Sequence, residues 1–576
     1  MRISTEERAL LTSLSIVCSL SMIVSVVEPS DEVLLPAFGV ATLLMFGLVI
    51  RSQSAILSLA GVTLTFVTLS LPTILVPTIH GYDTWIYLGS AFNIAAEGWT
   101  PTGFPNPNAH QFPGSQLIVV VISELLTVDI VTAAKYVTPL AKALLIPISY
   151  SIARQVSSSS RAAIAPAFLV GYVSFTNWMP FHHLTFGIIF KLLAAYLLLL
   201  IVASRLGVSP ISKKRAAIVY GIVMMALAIT HQFSIVQLGA LLLAAIAIPL
   251  SLQALMILQG RSQKPFRGTV LGLVPLVGIT AAVSISYFIY PANKFTTFAI
   301  WQQSIRATNS FAQSEPIAEL QQVLTQVSSS GLGSSLAPTL LDLGILGFFS
   351  IAGVVALISI YYKKQLHHPE SAFLLTIYGF AGVFVFLVLI DSVGLLNTGS
   401  TRRMVINALP FGVAAVLGTA TINRSMATKL KPLILVLAAA WLVLSMAMYS
   451  PALLSDKPFE ETEAKNKLHL SVEEQSAYEF AGNAENAIVS REGDYYMTAT
   501  GIEVRARNSL RIYAGDESAV PSESLVIRRP WQLRSHPTYG AVARYRIPEP
   551  VYHSYDNRST WDRIYTGGEV TYYQIH

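Results

Sequence analysis

Polar positions are scarce over the first 455 residues, and they fall between apolar runs of about 20 residues, the length that crosses a bilayer core. Charged or Pro/Gly-bearing breaks divide this stretch into about thirteen spans, near 9–27, 33–50, 55–77, 130–153, 162–179, 184–204, 215–231, 234–256, 268–290, 338–361, 371–391, 403–421 and 432–449. Between the third and fourth spans lies a long loop, 78–129. Its pattern predicts a short helix over 83–97, a Pro-rich turn that forbids continuous helix, and a second short helix in "GSQLIVVVISELL" lying in or dipping into the interface. Beyond residue 455 the pattern changes. "LSVEEQSAYEFA" predicts a helix, "SLRIYAG", "SLVIRRP" and "EVTYYQIH" predict strands, and Gly567 and Gly568 predict a turn between two of them. The expected architecture is an α-helical polytopic membrane domain over 1–455 followed by a small external α/β domain over 456–576.

Composition agrees with that division. Of 576 residues, 53% are hydrophobic and only 12% charged, which is membrane composition. The last 121 residues nevertheless hold 32 of the 70 formal charges, so water surrounds them. The single cysteine, Cys18, falls in an apolar run and excludes a disulfide framework and any cysteine-based metal site. The N-terminal stretch has no small-residue cleavage pattern before its acidic end, so it reads as a first membrane helix and not as a removed signal.

Charge placement gives an orientation. Of the 24 basic residues before position 456, 17 fall in one set of short loops, among them Arg51, Arg154, Arg205 and Lys213 to Arg215. Short basic loops mark the cytoplasmic side, which puts the N-terminus inside and, after thirteen spans, the C-terminal domain outside. The net charge of +6 does not imply a nucleic-acid partner, because these residues are scattered as orientation signals. The long, chemically varied loops all then share the outer face of a cell membrane.

That outer face gathers the candidate chemistry. Asp83 stands in "TIHGYDTWIYLG", flanked by Tyr82, Trp85 and Tyr87, which suit an interfacial aromatic belt. The carboxylate could cap the helix that follows it, or it could take a proton from a hydroxyl. Glu97 is the nearest second acid in the loop. His110 falls in the Pro-rich turn, and His182, His183 and His231 fall at two sharp breaks on the same side; protonated, each could donate to phosphate oxygens. Lys135, Lys142 and Lys191 lie inside spans, where an unpaired charge costs at least about 2.5 kcal/mol and marks function or a polar cavity. Arg402 and Arg403 violate the positive-inside trend at the outer mouth of a span, where arginine suits bidentate capture of phosphate or snorkelling to lipid headgroups. One carboxylate, several histidines and a basic cluster at the lipid boundary suit a lipid-linked phosphate substrate whose tail stays in the bilayer.

These residues resemble a known family. In multi-span glycosyltransferases of the GT-C type, including relatives of the protein mannosyltransferases (family 39) and aminoarabinose transferases, an acidic motif in the first large external loop precedes a His-Pro-Pro-like turn and a span ending in a cytoplasmic Arg. "GYDTW" with Asp83, "HQFPGSQL" from His110 and "ISYSIARQ" with Arg154 follow that order, and "THQFS" from Thr230 is similar to an element of archaeal members. The overall similarity is to archaeal dolichyl-phosphate-mannose-dependent transferases of surface-glycoprotein N-glycosylation. The resemblance implies a GT-C-like fold and a polyprenyl-phosphate sugar donor, transferred with inversion to an external glycan or glycoprotein acceptor. Asp83 would be the general base, and Arg402, Arg403, His231 and Lys191 would surround the departing phosphate. His110, Glu97, Trp85, His182 and His183 would line the loop or acceptor side, with no cofactor and no metal. Thr84 stands where the protein mannosyltransferases carry a second acid, which argues against a two-carboxylate metal site. Two alternatives share these features: a transporter or flippase of lipid-linked saccharides, for which Lys142 and Lys191 would mark the path, and a ligase or polymerase of surface polysaccharide. No internal repeat of the transporter kind is evident.

Overall fold

The computed structural model describes residues 5–27, 31–52, 54–75, 82–99, 112–157, 159–176, 181–208, 212–258, 267–289, 369–392 and 401–422, with four strands near the C-terminus. The helices are α1 (Thr5–Val27), α2 (Asp31–Arg51), α3 (Ala55–Leu75), α4 (Tyr82–Glu97), α5 (Gly114–Leu126), α6 (Ile130–Ala143), α7 (Leu145–Arg154), α8 (Ile164–Thr176), α9 (His183–Arg205), α10 (Lys213–Ala228), α11 (Gln232–Leu258), α12 (Arg267–Ile289), α13 (Pro369–Ser392) and α14 (Thr401–Ile422). Among the described residues four stretches are long and apolar enough to cross a membrane, Ile130–Arg154, His183–Arg205, Gln237–Leu258 and Glu370–Leu387. The chain is a helical, multi-pass membrane protein. The spans expected at 338–361 and 432–449 lie outside the described residues.

Local chemistry explains the elements. In α3 the hydroxyls of Thr63, Thr65, Thr68 and Ser70 each donate to the carbonyl four residues earlier, which satisfies them where no water is available. Asp129 caps α6 by accepting from the Thr132 amide at 2.8 Å. The single span expected over 130–153 is interrupted at Leu144, which joins α6 to α7. Pro147 has no N–H to offer the Ala143 carbonyl, and the chain tightens instead, with the Leu144 amide reaching Ala141 at 3.1 Å.

Helix α9 is the axis of the assembly. It packs against α5, α6, α7, α10, α11, α12, α13 and α14, and 83% of its apolar window is buried, against 28% for α11. A helix apolar on every side belongs in such a position. The loop helices α4 and α5 pack on each other and on α6, and α5 also touches α9.

The strands β1 (Ala487–Ile488), β2 (Leu525–Arg528), β3 (Trp561–Gly567) and β4 (Val570–Ile575) form one sheet in the order β1-β2-β4-β3. β1 and β2 are parallel, and β2–β4 and β3–β4 are antiparallel, with a register shift between Arg563 and Tyr565. The strands expected in "SLVIRRP" and "EVTYYQIH" and the turn after Gly567 coincide with β2, β4 and the β3–β4 hairpin. "LSVEEQSAYEFA" and "SLRIYAG" lie outside the described residues.

Candidate functional site

Four separated segments converge at the N-terminal end of α9. From α4, the Tyr87 ring lies 4.3 Å from His182 and 4.8 Å from His183, centroid to centroid. Phe112, just before α5, stands 6.2 Å from His183. His182 and His183 are 4.2 Å apart, and His231, between α10 and α11, stacks on His183 at 5.0 Å and 27°. Tyr87, Phe112, His183 and His231 are buried, so three histidines and two aromatic rings form one packed layer.

Backbone bonds orient two of the imidazoles. His182 precedes α9 in extended conformation, and its Nδ1 accepts the Leu184 amide at 3.0 Å as an N-cap. His231 Nδ1 accepts the Ser234 amide at 3.3 Å and lies 2.9 Å from Ser234 Oγ. With Nδ1 accepting, each neutral ring holds its proton at Nε2. A neutral ring of this tautomer carries one N–H donor, at Nε2, of the kind that suits an anionic oxygen.

The structure sorts the other expected residues. Asp83 is the second residue of α4, one helical turn before Tyr87, so the helix that carries it is the one that touches the histidines. Trp85 is buried at 4% exposure, as Tyr87 is at 6%; these rings fill the interior in place of the lipid-facing belt the sequence suggested. Glu97 ends α4, exposed and accepting from Asn93 Nδ2 at 3.3 Å. Fourteen residues of helix, about 21 Å, separate it from Asp83, too far for a second carboxylate on one substrate group. Arg402 and Arg403 begin α14. His110 lies outside the described residues.

Lys191 stands on the same helix as His183. It lies eight residues further along α9 than His183, about 12 Å deeper, at 1% exposure. Its ammonium donates to Gln237 of α11 and sits 5.7 Å over the Phe384 ring of α13. It ties three helices together. Lys135 and Lys142 are half-buried on α6.

Several contributors escaped sequence reading. Gly114 and Gly187 flank the Thr230–His231 corner at distances that exclude a side chain; nothing in a sequence separates such glycines from ordinary ones. Asn407, two turns into α14, is fully buried with neither amide atom hydrogen-bonded. Among the described residues no group of three His, Cys, Asp or Glu is placed to hold a metal ion.

Neither a family model nor a curated protein sequence matches the chain. Among solved structures it is similar to ArnT from Cupriavidus metallidurans, crystallised bound to undecaprenyl phosphate, with 13% identity over 90% of this chain and 97% of that one and a TM-score of 0.33.

Proposed function

We propose that the chain is a membrane glycosyltransferase that moves a sugar, mannose in the reading favoured by its motifs, from a polyprenyl (dolichyl) phosphate to a glycan or protein acceptor outside the cell membrane, in surface-glycoprotein N-glycosylation. The observation that carries the reading is the meeting of the Asp83 helix with His182 and His183 through Tyr87 at one end of an apolar bundle. A helix that carries a carboxylate, packed on histidine rings at the membrane edge, suits a substrate that is part lipid, part anion and part hydroxyl.

Asp83 takes the proton of the acceptor hydroxyl as that oxygen bonds to the anomeric carbon from the face opposite the phosphate. The anomeric carbon–oxygen bond breaks, the phosphate oxygen keeps the electron pair, and the configuration inverts. Arg402, Arg403 and the His231 imidazole stabilise the phosphate charge, which grows in the transition state. The reaction balances without a nucleotide, because the lipid phosphate is the leaving group. Lys191 is held by Gln237 and Phe384 and has a structural place in this account. The basic short loops support a cytoplasmic N-terminus and an external 456–576 domain.

The test is glycan mass spectrometry of surface glycoproteins from a strain whose only change is Asp83→Asn. The expected result is a glycan shortened by one sugar, with the sugar-loaded carrier accumulating. A wild-type glycan profile with normally inserted protein would sink the proposal.

A further inference from the structure

The Thr230–His231 corner is gripped from two sides. On one side Gly114, the first residue of α5, donates its amide to the Ile229 carbonyl at 2.9 Å. A Cβ at Gly114 would lie 2.2 Å from Thr230 Oγ1 and 3.1 Å from both the Ile229 oxygen and Thr230 Cα. On the other side Gly187, one turn along α9 from His183, would place a Cβ 2.6 Å from His231 Cβ, 2.9 Å from its Cγ and 3.2 Å from Ser234 Oγ. Optimal carbon contacts are about 3.5–4.0 Å. Neither obstacle is the loose end of a flexible side chain: His231 Cβ is fixed to the backbone, and a threonine hydroxyl moves only by changing its one stiff torsion. Thr230 Oγ1 is further held by donating to the Ala226 carbonyl at 2.6 Å.

We propose that Gly114 and Gly187 are positioning residues that key the Thr230–His231 corner between the external segment and α9. Through α5, on which α4 packs, Gly114 sets where the Asp83 helix stands relative to the histidines. Gly187 sets where His231 stands, and so whether its ring stacks on His183 and keeps its bonds to Ser234. The catalytic half of this inference rests on the transferase reading; the structural half does not.

The two glycines have different expected signatures. Gly114→Ala displaces the segment carrying the base, and because a misplacement of about 1 Å costs on the order of 100-fold in rate, kcat falls while donor KM holds. Gly187→Ala moves a donor-side imidazole, so donor KM rises about tenfold as one charge-assisted hydrogen bond is lost. Thr230→Ala alone stays near wild type. Combined with Gly114→Ala it removes the 2.2 Å collision and leaves backbone contacts at 3.1 Å, so most of the kcat loss is recovered. It does nothing for Gly187→Ala, whose obstacle is His231 itself.

The experiment uses the full chain in nanodiscs, with amide deuterium exchange over 82–97 and 114–126 measured beside transfer from a labelled polyprenyl-phosphate sugar. Gly114→Ala is expected to speed exchange in both helices by about tenfold as local opening becomes easier, and Gly114→Ala with Thr230→Ala to reverse most of that increase. Wild-type exchange in Gly114→Ala, or faster exchange that Thr230→Ala leaves uncorrected, overturns the keying. If Gly114→Ala does not insert, Thr230→Met presses the same contact from the other side and must reproduce the exchange pattern; wild-type exchange there overturns the proposal equally. Exchange that changes and is rescued while kcat stays constant overturns the catalytic half alone. A wild-type chain that transfers nothing overturns the transferase reading, and the keying is then judged by exchange.

Discussion

The two ends of α9 solve opposite problems. At its Arg205 end polar groups stay in water or satisfy themselves locally: Arg51 pairs with Glu6 at 3.1 Å with both side chains mostly exposed, Arg154 donates to the Ser157 carbonyl at 2.7 Å, and Ser52 and Ser157 close small turns. At its His183 end polar rings are buried against each other, and backbones approach closely enough that only glycine fits. Surface groups of the first kind tolerate change, because each contributes little. Groups of the second kind are held by several segments at once, so one displacement moves them all. A site that must fix a base against a leaving group needs the second construction.

That contrast can be broken or sharpened by mutation, from large effects to small. The double change Arg402→Ala with Arg403→Ala should raise donor KM by about 100-fold, on the order of two lost charge-assisted hydrogen bonds, with insertion preserved. Unchanged turnover kinetics would return both arginines to a lipid-anchoring role.

Asp129→Ala comes next and acts on stability. Partial burial works to raise the Asp129 carboxyl, but the hydrogen bonds from Thr132 and neighbouring amides outweigh it and leave its pKa lowered. A carboxyl depressed on folding adds stability that is present above its ordinary value near 3.8 and is lost as pH falls through the folded value. Removing the cap should cost about 1 kcal/mol at neutral pH, seen as a lower melting temperature, and the gap from wild type should close in acid. A gap that persists in acid would mean that the carboxylate is not the cap's source.

Lys191→Met combined with Gln237→Leu should change donor KM by no more than about threefold and leave the melting temperature within a few degrees, since replacing both partners of a buried polar tie by apolar side chains of similar volume is often neutral. A collapse of donor affinity would restore Lys191 to the phosphate site. Smallest of all, Glu6→Gln should shift stability by less than about 1 kcal/mol, and added salt should erase even that. A larger loss would erase the contrast between the two ends.

Much of this fold could be read from the order of residues because bilayer thickness imposes run lengths. The loop helices α4 and α5 and the β3–β4 hairpin were legible for the same local reasons, from Pro and Gly punctuation around short apolar or alternating runs. The break at Leu144 was not, although Pro147 carried the signal, because hydropathy averages over a proline. His182, His183 and His231 were singled out, but not their mutual stacking, which depends on α4, α9 and α11 meeting. Trp85 and Tyr87 misled for a related reason: an aromatic at a membrane edge can turn outward or inward, and only the neighbours decide. Glu97 was the nearest second acid in the loop, yet the helix expected over 83–97 already set it about 21 Å from Asp83. Gly114 and Gly187 were invisible, since close approach is a property of two segments and a sequence names one at a time.

The central claim is that Asp83 works as the base of a sugar transfer from a lipid phosphate. Its most direct test is the release of free polyprenyl phosphate from a labelled polyprenyl-phosphate sugar by purified full-length protein in liposomes, wild type against Asp83→Asn, with acceptor glycan present. The account expects release by the wild type and a loss of about 100-fold or more in the variant, the usual contribution of a general base, with donor binding retained. Equal release by both proteins would contradict it.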